Sequence, residues 1–241
     1  MVKLFYLVAI HQWLESGKII ASAELNRAIH DAITISSNDA TSLIVDMLTE
    51  TTSGPELAPD AFQTWQYQRN MVNRYFQSLG WRELEGINVN QKTWGDGYYG
   101  REKAFVGSDR SNRNMLTTDG VGRLLYSIVR GVAVSGKRSQ EMMSLLRRHL
   151  TPEDLAGKGF EEKQISGFLG QGLPKEAQLW SKAGWTSQVR HDAAYIEIPQ
   201  LPPYLLVVFT EGKENSQNSA LLPFLGKAFA AVMDNLGHNR E

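Results

Sequence analysis

The stretch AQLWSKAGWTSQVRHDAAYIEIPQLPPYLLVVFT, residues 177–210, decides the fold class. Three short runs within it, AQLWSKAGW, AAYIEI and YLLVVFT, are rich in aromatic and β-branched side chains and are separated by turn chemistry. They read as strands. The segment PQLPP between the last two is a hairpin connection, because proline cannot continue a paired strand. Upstream the texture is helical. Val2 to Leu14 is apolar almost all round, the pattern of a helix in the middle of a protein, and Gly17 ends it. Glu24 to Ile33 is a second helix, with Leu25, Ile29 and Ile33 on one side.

In TISSNDATSLIVDML, residues 34–48, a polar turn leads into Ala40, Leu43, Ile44, Met47 and Leu48 at helical spacing. Asn38 or Asp39 is suited to cap that helix. Asp60 to Leu79 reads as one long helix closed by Gly80. From Trp81 to Arg113 periodicity disappears, and a loop this long within a compact domain points to function. Its Trp94, Tyr98 and Tyr99 either line a groove or pin a glycine-rich turn. Helix resumes at Thr118 and again from Ser139 to Leu150; residues 157–176 are irregular, and a helix from Ala220 to Leu236 closes the chain. Runs of helix followed by runs of strand indicate α+β: a helical body, then an antiparallel sheet flanked by helices. The reading is a single domain over 1–241, mainly helical over 1–172, with strands and the last helix over 173–241.

The formal net charge is −1 and no basic stripe is present, which removes the electrostatic footprint of a nucleic-acid binder. Without cysteine there is neither disulfide nor thiolate chemistry. No apolar run approaches the roughly 20 residues of a membrane span. The five histidines show no ligand spacing such as H-E-x-x-H, so neither metal nor other cofactor is expected.

Three fragments carry chemistry. Lys3 sits among MVKLFYLVAI, on a helix where a buried ammonium without partners costs several kcal/mol. Ser37-Asn38-Asp39 opens a helix, and Lys182-Ala183-Gly184 lies on a strand. Taken singly, the last two are an ordinary cap and an ordinary turn. In this order and setting the three resemble the class A β-lactamase and penicillin-binding serine hydrolase superfamily, whose motifs are Ser-x-x-Lys, Ser-Asp-Asn and Lys-Thr-Gly. ITISSNDATSLIVDML, NRNMLTTDGVGRLL and SKAGWTSQVRHDAAYIEIP are similar to that family's corresponding segments. The resemblance spans most of residues 1–212 and is weakest over 51–113.

The resemblance implies a role for each matching residue. Lys3 is the lysine that takes the nucleophile's proton; Met1 and Val2 are the two intervening residues, so the serine belongs immediately before Met1 and is absent by one residue. The family's preceding helix and first strands are expected to be absent too, and the start to have been assigned at an internal methionine. Ser37 matches the proton-relaying serine, with Asn38 and Asp39 in exchanged order as substrate-binding residues. Lys182 matches the third-motif lysine, Ala183 stands where threonine is usual, and Gly184 admits the substrate to the strand edge. Trp185 supplies an oxyanion-hole N–H, Arg190 faces the substrate carboxylate, and Glu102 is the candidate deacylating carboxylate.

The function implied is hydrolysis of a β-lactam or D-alanyl amide through a serine acyl-enzyme, by a domain whose nucleophile this chain lacks, so that residues 1–241 are inactive. The alternatives are a non-catalytic protein binding peptidoglycan or β-lactam, and an incomplete gene product. The partner is a small-molecule β-lactam or a peptidoglycan stem peptide, the chain a monomer. The periplasm or cell envelope is implied if a signal lies upstream.

Overall fold

The computed structural model describes residues 1–95, 97–151 and 164–238. The chain divides into two compact units, Val2–Gly120 and Val121–Glu241, the latter together with Met1.

The first unit is built around α1 (Lys3–Glu15), whose residues from Lys3 to His11 are all buried. Such a helix has no polar face to offer water, so it must be wrapped. α2 (Ala23–Thr34) and α3 (Asn38–Thr49) are two of its wrappers, each with its own apolar stripe: Leu25, Ala28, Ile29, Ala32 and Ile33 on one, Ile44, Val45 and Leu48 on the other. Caps fix where both begin. Ser22 Oγ accepts from Leu25 N at 3.1 Å, and Ser37 Oγ from Ala40 N at 3.2 Å. The cap of α3 is therefore Ser37, one residue ahead of the two that the sequence suggested.

The helix expected over residues 60–79 is two helices, α4 (Pro59–Arg69) and α5 (Met71–Ser78). Asn70 breaks it, leaving helical geometry at φ −84°, ψ 10°. Its side chain bonds Gln66 O and accepts from the Asn73 and Asn90 amides, so it competes with the helix backbone. α5 returns to α1 through Phe76, which meets the Phe5 ring edge-on at 5.1 Å.

The aperiodic segment after Trp81 is ordered by amides instead of by apolar spacing. It holds one 3₁₀ turn (Arg82–Leu84), α6 (Gly100–Val106) and a single antiparallel bridge between Asn88 and Met115. Asn88 and Asn90 both donate to Asn112 Oδ1, and Asn114 Oδ1 accepts from the backbone N–H of Asn90 and of Gln91.

α7 (Thr118–Val129) leads into the second unit, followed by α8 (Gly136–Leu146). The helix expected to reach Leu150 stops at Leu146, because Arg147 and Arg148 pair with Trp180 and Leu179 as a two-residue strand, β1 (Arg147–Arg148). β2 (Gln178–Trp185), β3 (Val189–Glu197) and β4 (Tyr204–Glu211) complete an antiparallel sheet of order β1-β2-β3-β4. These are the three strands read from residues 177–210, joined by a fourth too short to leave a periodicity. Of the irregular stretch, residues 157–163 lie outside the described residues, and a 3₁₀ turn occupies Leu169–Gly172.

Phe168, Leu169, Leu179, Ala183, Ala194, Ile196, Leu206 and Leu222 form one core on a single face of the sheet. After α9 (Lys213–Gln217), α10 (Leu221–His238) lies against the 3₁₀ turn so closely that any Cβ on Gly226 would strike the Leu169 carbonyl. Among the described residues no helix is long and apolar enough to cross a membrane.

The wrapped helix predicts where stability resides. Leu7 is 1% exposed and Ile20 is 87% exposed. Leu7→Ala should cost about 2–5 kcal/mol in urea unfolding, whereas Ile20→Ala should change stability by less than about 0.5 kcal/mol. Equal costs would contradict a core centred on α1.

Candidate active site

Lys3 occupies the first turn of α1 and is only 6% exposed, so its ammonium needs oxygen around it. The turn between α2 and α3 supplies it. Nζ donates to Ser36 O, to Ser36 Oγ at 3.2 Å, to Ser37 O at 3.2 Å and to Asn38 Oδ1 at 2.9 Å. Ser36 stands at φ 58°, a left-handed conformation that costs a non-glycine residue about 1–3 kcal/mol and clusters at functional sites. In this conformation Ser36 offers both its carbonyl and its hydroxyl to the same ammonium.

The hydroxyl that meets Lys3 is that of Ser36, one residue before the serine that the resemblance matched; the hydroxyl of Ser37 caps α3. Asn38 faces the lysine, and Asp39 sits exposed in the first turn of α3, where a carboxylate suits the helix dipole. The signal was present: Ser36-Ser37-Asn38 preserves a Ser-x-Asn spacing, and adjacent serines made the register ambiguous.

Glu102 is fully buried in α6 and is taken up by other partners. Oε1 accepts from Arg69 Nη2 at 2.6 Å and from Ser53 Oγ at 2.7 Å. Lys92 Nζ donates to Asp46 Oδ2 at 2.6 Å and to Ser53 Oγ at 2.9 Å, so two acids and two bases share one network. Burial lowers the Arg69 pKa, opposed by Glu102 and then Asp46. The network ties α3, α4, the loop and α6 together, and no local pattern announces it, because its members lie far apart in the chain. Trp94 and Tyr99 pack edge-on at 5.5 Å, which pins the glycine-rich turn, while Tyr98 lines a groove of about 400 Å³ with Lys103 and Arg110.

The second cluster lies in the other unit. Lys182 is 1% exposed on β2; its Nζ donates to Gln164 Oε1 and, at 2.7 Å, to Ala183 O. Ala183 faces the core, and Trp185 is 46% exposed at the end of the strand, its Nε1 donating to Ser216 O. A Cβ on Gly184 would come 2.7 Å from Met1 N, so the bare Cα is what lets the chain approach this strand. Arg190, 8% exposed, is claimed by backbone carbonyls: Nε donates to Ser216 O at 2.9 Å and Nη1 to Gly167 O at 3.3 Å. Burial lowers its pKa. Among the described residues, no cluster of His, Asp and Glu could hold a metal ion.

Asp192 lies on β3, paired with Ala183. It is fully buried, accepts from Leu169 N at 3.1 Å, and its Oδ1 has no hydrogen-bond partner. Desolvation raises its pKa to about 6, against the opposing hydrogen bond from Leu169 and the charges of Lys182 and Arg148. Arg148, which donates to Ser181 O at 3.0 Å, is pulled down by burial to about 10.

A raised carboxyl pKa means that the folded chain keeps a proton over a range where the unfolded chain, at 3.8, has lost it. Asp192 therefore erodes stability as pH rises from about 4 to about 6, by ~3 kcal/mol at most at ~1.4 kcal/mol per unit. Asp192→Asn should remove that loss. The stability difference between variant and parent should grow in the variant's favour across this range and level off above it. A difference independent of pH would contradict the assignment.

The chain matches the model of the beta-lactamase enzyme family over residues 8–233. No curated protein matches it by sequence. Among solved structures it is similar to a beta-lactamase from Sphaerobacter thermophilus DSM 20745, at 18% identity and a TM-score of 0.65, over 97% of this chain and 81% of that one. It is also similar to a class A beta-lactamase from Bacteroides cellulosilyticus DSM 14838, at 16% identity and a TM-score of 0.64, over 98% and 82% of the two chains. A mutant of PBP-A, solved as an acyl-enzyme complex with penicillin G, is 17% identical with a TM-score of 0.66, over 97% and 80%. At such identities the likeness speaks for the fold alone.

Proposed function

The chain belongs to the beta-lactamase enzyme family, and from that membership we propose that it serves serine acyl transfer on a β-lactam or an acyl-D-alanyl amide. The observation that carries the reading is the Lys3 ammonium, buried in the first turn of α1 and met by Ser36 Oγ and Asn38 Oδ1. Acyl transfer needs a group that takes the nucleophile's proton and a route by which the leaving nitrogen receives one. A hydroxyl three residues before Lys3 shares its helical face. That place is the residue immediately before Met1, which residues 1–241 do not contain.

In this reading Lys3 acts in its free-amine form, one proton short of the ammonium that these oxygens hold, and accepts the proton as the serine oxygen attacks the amide carbonyl. Ser36, hydrogen-bonded to Nζ, hands a proton to the nitrogen as the C–N bond breaks, and is restored from Lys3. Asn38 holds the lysine through Oδ1 and offers Nδ2 to a substrate carbonyl. Ser37 sets the start of α3. Lys182 supplies positive charge for the substrate carboxylate, and the Trp185 N–H is one arm of the oxyanion hole. The approach of Met1 N to Gly184 supports this, because a residue bonded to that nitrogen begins beside the same strand. Arg190, held by two carbonyls, serves the frame of the sheet; Asp39 serves its helix. The family match spans both compact units, which supports one catalytic domain over 1–241.

In this reading Glu102, whose Oε1 accepts from Arg69 and Ser53, serves the frame and does not activate water. Without a carboxylate to activate water, the acyl-enzyme is long-lived, the behaviour of a penicillin-binding protein rather than of a fast β-lactamase. Residues 1–241 as they stand keep the groups named above and bind such a ligand without acylation.

The test is intact-protein mass spectrometry after incubation with benzylpenicillin. Residues 1–241 should gain no mass, and the same chain with serine inserted immediately before Met1 should gain one penicilloyl group on that serine. An adduct on any serine of residues 1–241 would overturn the reading.

A further inference from the structure

A groove of about 400 Å³ in the first unit takes no part in the roles above; Glu56, Tyr98, Lys103, Ser108 and Arg110 contribute polar groups to its lining. Its walls are fixed through the backbone. On one side the segment at Gly54 is strapped to α6: Arg101 N donates to Gly54 O at 3.1 Å, and Arg101 Nε to Pro55 O at 3.0 Å. Glu56 follows directly on this strap. On the other side Asn112 closes the turn after α6, its N donating to Val106 O at 3.2 Å and its Nδ2 to Phe105 O at 2.9 Å. Within that turn Arg110 N donates to Gly107 O and Arg113 N to Arg110 O, each at 3.2 Å. Arg110 is held there at φ 59°, a left-handed conformation that a non-glycine residue keeps only where its surroundings impose it.

The charges around this groove are unbalanced. Lys103, Arg110 and Arg113 are exposed cations, and among the described residues none of them forms an ion pair. The acids beside them in the chain are engaged elsewhere. Glu102 accepts from Arg69, and Asp109 Oδ1 accepts from Ser111 N at 3.0 Å; hydrogen bonds from Ser111 hold the Asp109 pKa below its ordinary value. Tyr98 is half-buried. Desolvation raises its pKa, opposed by the charge and hydrogen bond of Arg113 and by the charge of Arg110. The phenol is therefore protonated at neutral pH. Its oxygen accepts from Arg113, and its O–H is the group it can offer to a ligand.

We propose that this groove binds a dianionic phosphate group carried by a small soluble monoester: Lys103 and Arg110 pair with its oxygens, and the Tyr98 hydroxyl, polarised by Arg113, donates to it. Three cations against the single carboxylate of Glu56 leave two positive charges in excess, the complement of a dianion. Cations gathered without acids repel one another, and an entering anion relieves that repulsion. Guanidinium groups suit phosphate because their forked N–H pairs can meet two oxygens at once. The turn that carries Arg110 is closed by its own backbone bonds, so the site is formed before the ligand arrives. A phosphate ion fills only part of the groove, which leaves room for the esterified group. The site shares no residue with the acyl-transfer reading and does not depend on it.

The test is an NMR titration of the ¹⁵N-labelled chain with inorganic phosphate and with glycerol 3-phosphate at constant ionic strength, chloride being the control anion. The amides of Gly107, Ser108 and Arg110 should shift saturably with both phosphates and not with chloride. Arg110→Asn removes the charge and keeps a residue that tolerates the left-handed turn; it should weaken binding at least about tenfold. Tyr98→Phe leaves that turn untouched and should weaken binding about threefold or more. Arg82→Gln removes an exposed cation outside the lining and should stay within about twofold of the parent. No saturable shift in the parent, or equal losses in Arg82→Gln and in the two groove variants, would overturn the site. Phosphatidic-acid vesicles distinguish the source of the phosphate. Co-sedimentation that Arg110→Asn abolishes would assign it to a lipid head group and overturn the soluble monoester.

Discussion

A lysine ammonium in the first turn of a helix buried from Lys3 to His11 is the constraint on which the first unit depends. Lys3 has at least four oxygen contacts, and two are carbonyl oxygens of the turn that joins α2 to α3. Those carbonyls face inward because Ser36 takes a left-handed conformation and Ser37 ends the turn as a helix cap. Without oxygen acceptors the ammonium would carry a desolvation penalty of several kcal/mol. The turn is therefore required for α1 to be buried at all, and the same oxygens surround the lysine in the proposed proton transfer. Stability and chemistry draw on one set of atoms.

The second unit answers the same problem differently. Lys182 is equally buried, but its partners are a side-chain amide and the carbonyl of its own neighbour, set along a strand edge. Arg148 and Asp192 share the interior of that unit, and neither is comfortable there: burial lowers the pKa of one and raises that of the other. Buried charges of this kind seldom add stability relative to apolar replacements. Here they spend it on holding the backbone of β2, through Ser181 O and the 3₁₀ turn at Leu169.

The elements with a strong period were legible in the sequence. The all-round apolar run of α1, the stripes of α2 and α3 and the three strands after Ala177 lie within a few residues of their expected places. What escaped was set by contacts between distant residues. Asn70 divides a helix because its side chain meets Asn90. β1 is two residues long and exists because Arg147 and Arg148 find β2. The aperiodic loop is held by asparagines whose partners lie more than twenty residues away.

Lys3, Asn38, Lys182 and Gly184 carried the resemblance as residue types in order. Ser36 and Ser37 were not separable without coordinates: both are serines, both precede a helix, and capping preferences favour either. Glu102 looked available because a lone carboxylate in a long loop shows no partner in sequence. Arg69, thirty-three residues earlier, pairs with its Oε1.

The central claim is that Lys3 and Ser36 form the proton-transfer pair, and its most direct test compares two hydroxyls one residue apart. With serine inserted before Met1, the rate of penicilloyl-enzyme formation should fall about 10²-fold or more in Ser36→Ala, the usual cost of losing a proton-transfer group. In Ser37→Ala it should stay within about threefold while stability drops by ~1 kcal/mol from the lost cap. A slow Ser37→Ala beside an unimpaired Ser36→Ala would contradict the account.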